Sequence, residues 1–141
     1  METLLKPCNL FWLCFLLHLV ADYTLQGILC DLKQQGWWFE QLKKLAYKTN
    51  DTEKQDRLFA KYSHDYISGL ICHAAMWSIL TFLPLMFVCS QLVFAVVVVC
   101  NLAIHCLVDH LKANKRLINL NQDQALHLLQ IVATLVVVYY I

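Results

Sequence analysis

QLVFAVVVVCNLAIHCLVDHL, residues 91–111, is the stretch that decides the fold. It is long enough to cross a bilayer, because a spanning helix needs about 20 mainly apolar residues. Asn101, His105 and Asp109 interrupt it at i, i+4 and i+8, so they share one helix face. A carboxylate at the centre of a spanning helix costs about 2.5–3.5 kcal/mol on insertion scales. Residues of this kind usually face the protein interior and often mark a functional site.

The composition of the whole chain agrees with a membrane location. Of 141 residues, 60% are hydrophobic and only 15% are charged, against about 25% charged in soluble domains. The net charge is +1, so bulk electrostatics does not indicate a nucleic-acid partner. We therefore predict a single integral membrane domain over residues 1–141, with the lipid bilayer as its main partner.

Four segments are predicted to cross the membrane, which gives an all-α fold, a four-helix transmembrane bundle. Pro7 suits the first turn of the first span, and Pro84 is expected to kink or end the second. The turn between the second and third spans is so short that they form an antiparallel hairpin. The four spans cover residues 8–30, 65–88, 91–111 and 123–141, approximately.

The one long polar segment, residues 31–63, separates the first two spans. Residues 37–47 mix tryptophan, phenylalanine and leucine with lysine, a pattern typical of an amphipathic helix at the membrane surface. Residues 48–61 are charged and predict a solvated helix or loop. The segment is expected to be an interfacial anchor, and docking of a cytosolic partner is the alternative.

The distribution of basic residues predicts the orientation. The loops before the second and fourth spans together carry ten of the eleven Lys and Arg residues. Because positively charged loops stay in the cytoplasm, both loops are predicted to be cytoplasmic and both termini to lie outside. The expected location is the cytoplasmic (inner) membrane, with several passes.

Further polar residues lie in the other predicted spans. His18, Asp22 and Gln26 repeat the i, i+4, i+8 spacing in the first span, His73 lies in the second, and the fourth contains Asp123, Gln124 and His127. At a rise of about 1.5 Å per residue, these side chains lie about 10–18 Å from the cytoplasmic ends of their helices: His18, Asp22, His73, His105 and His127. The sequence therefore predicts one polar cluster in the cytoplasmic half of the bilayer.

The residue types in this cluster suit a divalent metal. Imidazole and carboxylate ligands favour zinc, with iron and manganese as alternatives. Such a site predicts a metal-dependent hydrolase that acts on an ester or phosphoester of a lipid or its headgroup. The predicted metal ligands are His18, Asp22, His73, His105, Asp109 and His127, where His73 and His127 either ligate the ion or orient its ligands.

The remaining polar residues have predicted supporting roles. One of the carboxylates Asp22, Asp109 and Asp123 is expected to act as the general base. Lys112 lies at the cytoplasmic rim, where it is expected to hold an anionic headgroup. Substrate contact or orientation of the ligands is expected of Gln26, Asn101 and Gln124.

Three alternatives stay open from the residues alone. The polar side chains can form a buried network that only joins the helices, at about 0.6 kcal/mol per contact; we favour this for Asn101 and Gln130. They can form a proton or metal-ion path in a transporter or channel, which an oligomer of the chain would help to complete. The chain can also be a non-enzymatic membrane adaptor.

Four motifs in order resemble a known family. Residues 18–26, HLVADYTLQ, resemble H-x3-D-[FY]-x-L-Q, residues 105–112 resemble H-x3-D-x2-K, and residues 123–127 resemble D-Q-x2-H. With His73 between them, the chain resembles domain-of-unknown-function family 3307, small multi-pass membrane proteins of bacteria and phages. It resembles, more distantly, inner-membrane proteins described as metal-dependent hydrolases. The resemblance implies the topology and the site rather than a settled activity, and the charged insertion 48–61 is larger than usual for the family.

Overall fold

The computed structural model describes residues 6–48 and 51–140, and those residues form helices and the turns that join them. The predicted all-α fold is confirmed for this part of the chain. Its α-helices are α1, Pro7–Leu19; α2, Leu29–Leu32; α3, Gln35–Ala46; α4, Thr52–Tyr62; α5, Asp65–Phe82; α6, Gln91–Ala113; and α7, Leu120–Tyr140.

The first predicted span is not one continuous helix from residue 8 to residue 30. α1 passes into a π-helical turn, Val20–Thr24, and the chain then leaves the helical path before α2 begins at Leu29. Gly27 has a φ of +44° in this turn, a left-handed conformation that glycine adopts without the steric penalty of a side chain. The break redirects the chain into α2.

Three described segments are long and apolar enough to cross a membrane: Thr52–Phe87, Gln91–Ala113 and Leu120–Tyr140. They overlap the second, third and fourth predicted spans, of which Ile141 lies outside the described residues. Within the described ranges, α1 with its π-helical turn is not among them. The structure therefore indicates a membrane protein with three candidate spans.

The ends of these helices follow local chemistry. α5 gives way to a 3-10 helix, Leu83–Phe87, at Pro84, which agrees with the expected effect of a residue that cannot donate a backbone hydrogen bond. α6 begins after Ser90, whose hydroxyl accepts a hydrogen bond from the Val93 amide at 3.4 Å, as N-cap serines do. The short connection makes α5 and α6 an antiparallel hairpin.

The segment predicted as a surface helix followed by a solvated helix or loop forms two packed helices. α3 covers most of residues 37–47, the stretch predicted to be amphipathic. α4 covers most of the charged stretch, residues 48–61, of which Thr49 and Asn50 lie outside the described ranges. Phe39 of α3 stacks on Phe59 of α4, with ring centroids 6.2 Å apart. The two helices therefore pack against each other.

The four longest helices, α1, α5, α6 and α7, enclose an interior whose polarity differs between its two ends. α5 packs against α1 and α6, and α7 packs against α1 and α6 as well. One half of the interior is apolar, with Leu10, Cys14, Phe82, Val97 and Ile131 buried together. The buried histidines and aspartates occupy the other half.

Candidate metal centre

Six buried side chains converge between the helices, and we call them the His/Asp cluster. Each is at least 96% buried. All six were predicted from the sequence as ligands or catalytic carboxylates. They are Asp22 from the π-helical turn, His73 from α5, His105 and Asp109 from α6, and Asp123 and His127 from α7.

Local helix geometry brings together two pairs within this cluster. His105 Nε2 lies 3.6 Å from Asp109 Oδ2, and His127 Nε2 lies 3.4 Å from Asp123 Oδ1. Both pairs have the i, i+4 spacing that places side chains on one helix face. Asp22 instead lies in a π-helical turn, a local feature that is frequent at functional sites. The spacing of residues within α6 and within α7 therefore forms one His–Asp pair on each helix, and the packing of the helices brings the two pairs together.

Asp109 occupies the middle of the His/Asp cluster. Its Oδ2 atom lies 3.2 Å from His73 Nε2 and 3.6 Å from His105 Nε2. Its Oδ1 atom lies 3.9 Å from His127 Nε2. The two oxygens of one carboxylate therefore lie near different histidines.

Ring stacking fixes the plane of His105. Its ring stacks on those of Trp77 and His127, with centroid distances of 4.2 Å and 4.3 Å and interplanar angles of 21° and 22°, and the Trp77 and His127 centroids lie 5.2 Å apart. Trp77 is fully buried, so this face of the imidazole is shielded from solvent. The stack restrains the orientation of the histidine that stands between the two halves of the cluster.

Buried nitrogen atoms without hydrogen bonds distinguish this cluster from a completed polar network. Within the described residues, no ring nitrogen of His73, His105 or His127 has a hydrogen bond of good angular geometry, and neither has Asp123 Oδ1, although His73 Nε2 lies 3.2 Å from Asp109 Oδ2 and His127 Nε2 lies 3.4 Å from Asp123 Oδ1. An unsatisfied buried polar atom costs about 1–3 kcal/mol, and an ordered water or ion commonly explains one. Imidazole nitrogen and carboxylate oxygen are ligands that divalent transition metals accept. The donor set therefore fits a metal ion.

Two overlapping groups have the geometry for this role. Asp22, His73 and His105 form one, and His105, Asp109 and His127 form the other. In each group the three ligand atoms lie within 4.8 Å of one another. The His/Asp cluster can in principle hold a metal ion, and His105 belongs to both groups.

A directional hydrogen-bond chain supports two of the carboxylates. The Trp77 indole donates to His18 Nδ1 at 2.8 Å, which leaves the His18 proton on Nε2, 3.1 Å from Gln124 Oε1. The Gln124 amide nitrogen donates in turn to Asp22 Oδ2 at 2.8 Å and to Asp123 Oδ2 at 3.1 Å. Because indole nitrogen is only a donor, each link in the chain has a defined direction.

This chain of hydrogen bonds favours a supporting role for His18 over the predicted role of metal ligand. The sequence predicted His18 as a metal ligand, and the structure places it beside the cluster, 5.8 Å from the His127 ring. Both of its nitrogens are already engaged, so it is suited to orienting the carboxylates through Gln124. Partners of this kind commonly hold metal ligands in position. Trp77 was missed from the sequence, because an apolar residue among apolar residues gives no signal there.

Lys33 is the second residue that sequence reasoning missed. Its ammonium donates to Asp109 Oδ2 at 2.7 Å, and its side chain is only 7% exposed. Asn114, at the end of α6, holds this part of the chain by donating to the Lys33 carbonyl at 3.1 Å and accepting from the Gln35 amide at 2.7 Å. The sequence offered Lys33 as one of several loop lysines, with no local signal that it enters the site.

Lys112 lies at the partly open edge of the cluster. Its ammonium lies 2.5 Å from Asp123 Oδ2, and 28% of its side chain remains exposed. The ammonium that was predicted to hold an anionic headgroup therefore already forms an ion pair with a carboxylate of the cluster. A substrate anion that entered here would compete with Asp123 for the Lys112 ammonium.

The other predicted polar residues lie beside the cluster. The Gln26 side chain donates to the backbone carbonyl of Asp22. The Asn101 amide donates to the Val97 carbonyl at 2.9 Å and accepts from the Thr134 hydroxyl at 3.1 Å, and its backbone carbonyl accepts from Gln130 at 2.8 Å. Asn101 and Gln130 thus join α6 to α7, as the helix-linking interpretation expected.

Comparisons of the chain with protein-family models, with curated proteins and with solved structures found no match. The resemblance of its motifs to domain-of-unknown-function family 3307 therefore stays a prediction. The geometry of the site is the basis for any functional assignment.

Proposed function

We propose that the chain is a metal-dependent membrane hydrolase whose His/Asp cluster cleaves an ester or phosphoester of a lipid or lipid headgroup. The observation that carries the proposal is the set of three fully buried imidazoles, each without hydrogen bonds to its nitrogens and close to a carboxylate. We propose zinc as the ion, because histidine and aspartate together suit it.

The membrane arrangement belongs to the same proposal. α1 and its π-helical turn would be the fourth span, since α1 packs against α5 and α7 beside two of the candidate spans. The two loops that carry most of the Lys and Arg residues would face the cytoplasm, by the bias of basic residues toward that side. The His/Asp cluster would then lie in the cytoplasmic leaflet of the inner membrane, with both termini outside.

The residues of the cluster divide the proposed work. His73, His105, His127 and the carboxylates would hold the ion, and one of the carboxylates would take a proton from the attacking water. When bound, a divalent ion would polarise a carbonyl or phosphoryl oxygen and activate water at neutral pH. Lys112, at the open edge, would attract an anionic group of the substrate.

The apolar half of the interior bears on the transporter alternative. Leu10, Cys14, Phe82, Val97 and Ile131 pack together where a continuous path to the opposite membrane face would have to pass. Those side chains offer a charged solute no polar partner, and neutral polar residues are buried close to them in the chain: Ser78, Thr81, Asn101 and Gln130. The packing therefore supports chemistry at one leaflet over passage through one chain.

The proposal predicts a metal-dependent esterase or phosphoesterase activity that depends on Lys112. Purified protein in detergent would be stripped of metal, reloaded with zinc, and assayed with p-nitrophenyl phosphate, bis(p-nitrophenyl) phosphate and p-nitrophenyl butyrate. We expect hydrolysis of at least one compound only after zinc is restored. For a phosphoester, Lys112→Met should raise KM by about 10-fold or more, since an ion pair to phosphate is lost.

Lys115→Met is the matched control, because Lys115 lies three residues away and is exposed. It should leave KM unchanged. Zinc-loaded, folded protein that hydrolyses none of the three compounds and no phospholipid in mixed micelles, yet carries zinc or protons across proteoliposomes, would contradict the hydrolase assignment.

A further inference from the structure

We infer that the His/Asp cluster binds two divalent metal ions, with the Asp109 carboxylate bridging them. The first position lies among Asp22, His73, His105 and Asp109 Oδ2, and the second among Asp123, His127 and Asp109 Oδ1. The inference extends the proposed function, which requires only one ion.

A single ion in either candidate group leaves one of the three imidazoles without a ligand role. An ion held by Asp22, His73 and His105 would leave His127 and Asp123 Oδ1 without a partner. An ion held by His105, Asp109 and His127 would leave His73 without one. Because these side chains are buried, two positions give each imidazole an ion to bind, where one position does not.

The geometry of Asp109 supports a bridge. Its Oδ2 faces His73 Nε2 at 3.2 Å, while its Oδ1 faces His127 Nε2 at 3.9 Å. Ions in two-metal sites lie about 3.5–4 Å apart, a separation that the two oxygens of one carboxylate can span. The Asp109–Lys33 ion pair does not prevent this, since an ionised carboxylate has about four lone-pair directions.

Each position also has a carboxylate of its own. Asp22 Oδ1 lies 3.6 Å from His73 Nε2 on the first side. Asp123 Oδ1 lies 3.4 Å from His127 Nε2 on the second side. Gln124 holds the remaining oxygen of both residues through its amide nitrogen. Each side therefore has a histidine and an aspartate of its own around the shared Asp109, and His105 adds a second histidine to the first side.

The charge of the cluster predicts that the two ions bind unequally. With neutral histidines, the three aspartates and the paired Lys33 and Lys112 carry a single net negative charge. The first divalent ion already reverses this sign, so the second should bind more weakly. An anion that joins the centre would offset the excess positive charge. Inorganic phosphate should therefore tighten binding of the second ion.

The stoichiometry of the purified full-length chain tests the inference. Metal-stripped protein in detergent would be titrated with Mn²⁺, desalted with and without inorganic phosphate, and its metal content measured by mass spectrometry. We expect two ions per chain with phosphate present. Electron paramagnetic resonance of the wild-type protein should then show a spin-coupled pair instead of isolated Mn²⁺.

Variants on each side separate the two positions. Asp22→Asn and His127→Gln should each reduce binding to one ion per chain and remove the coupled signal. His64→Gln, at an exposed histidine, should still bind two. One uncoupled ion per wild-type chain would overturn the two-ion inference and leave the proposed function standing, whereas no bound ion would overturn both. The wild-type measurement decides even if a variant fails to fold.

Discussion

Replacing Asp109 with asparagine is expected to lower the affinity for divalent metal by roughly 100-fold or more and to destabilise the fold by about 3–5 kcal/mol. The amide keeps the shape of the side chain but loses the negative charge that faces His73, His105 and His127. It also leaves the buried Lys33 ammonium without its ion-pair partner. Metal content and thermal unfolding in detergent would measure the two effects.

A double variant separates metal binding from folding. Lys33→Met combined with Asp109→Asn removes both charges of the buried pair, and such replacements are often neutral or stabilising. The double variant should therefore recover much of the lost stability and still fail to bind metal tightly. Wild-type metal affinity in a folded Asp109→Asn protein would contradict the central position assigned to this carboxylate.

Replacing Gly69 with alanine is expected to destabilise the protein by about 1–3 kcal/mol or more. A Cβ atom at this position would lie 2.5 Å from the Leu32 carbonyl oxygen and 2.6 Å from its carbon. The contact involves backbone, and that carbonyl also accepts a hydrogen bond from the Trp38 indole at 2.8 Å. α2 would have to move away from α5, and Lys33, the next residue, would move away from Asp109.

Gly36→Ala is the matched control for this variant. A Cβ at Gly36 meets no atom within 4 Å, and alanine restricts the unfolded chain more than glycine, so stability should rise by up to about 1 kcal/mol. Thermal unfolding would compare the two variants, and amine labelling of Lys33 should become faster only in Gly69→Ala. Equal stability of the two variants would show that α2 does not pack as closely on α5 as the structure places it.

The residues that meet at the centre could be predicted because their signal is local. His105 with Asp109, and Asp123 with His127, have the spacing of one helix face inside apolar segments, where polar residues are costly and face inward. Matching depths in different spans then predicted convergence. The same argument placed Asn101 on that face, and the structure shows it joining α6 to α7, the role that the sequence analysis favoured for it.

Other features of the structure cannot be predicted from the spacing of polar residues along the sequence. The end of the first helix follows from a left-handed conformation at Gly27, whereas the apolar pattern continues to Cys30. Lys33 enters the site because Asn114 and Gly69 hold its segment against the bundle, and both contacts join residues far apart in the chain. His18 differs from the other histidines only through the indole of Trp77 and the amide of Gln124.

X-ray absorption spectroscopy at the zinc edge, on protein loaded with one equivalent of zinc, tests the central claim most directly. The account predicts nitrogen and oxygen ligands at about 2.0–2.2 Å, with the multiple-scattering pattern of at least two imidazoles, and no sulfur ligand although the chain has seven cysteines. Zinc held by cysteine sulfur, or zinc that stays fully hydrated and washes away, would contradict a metal centre in the His/Asp cluster.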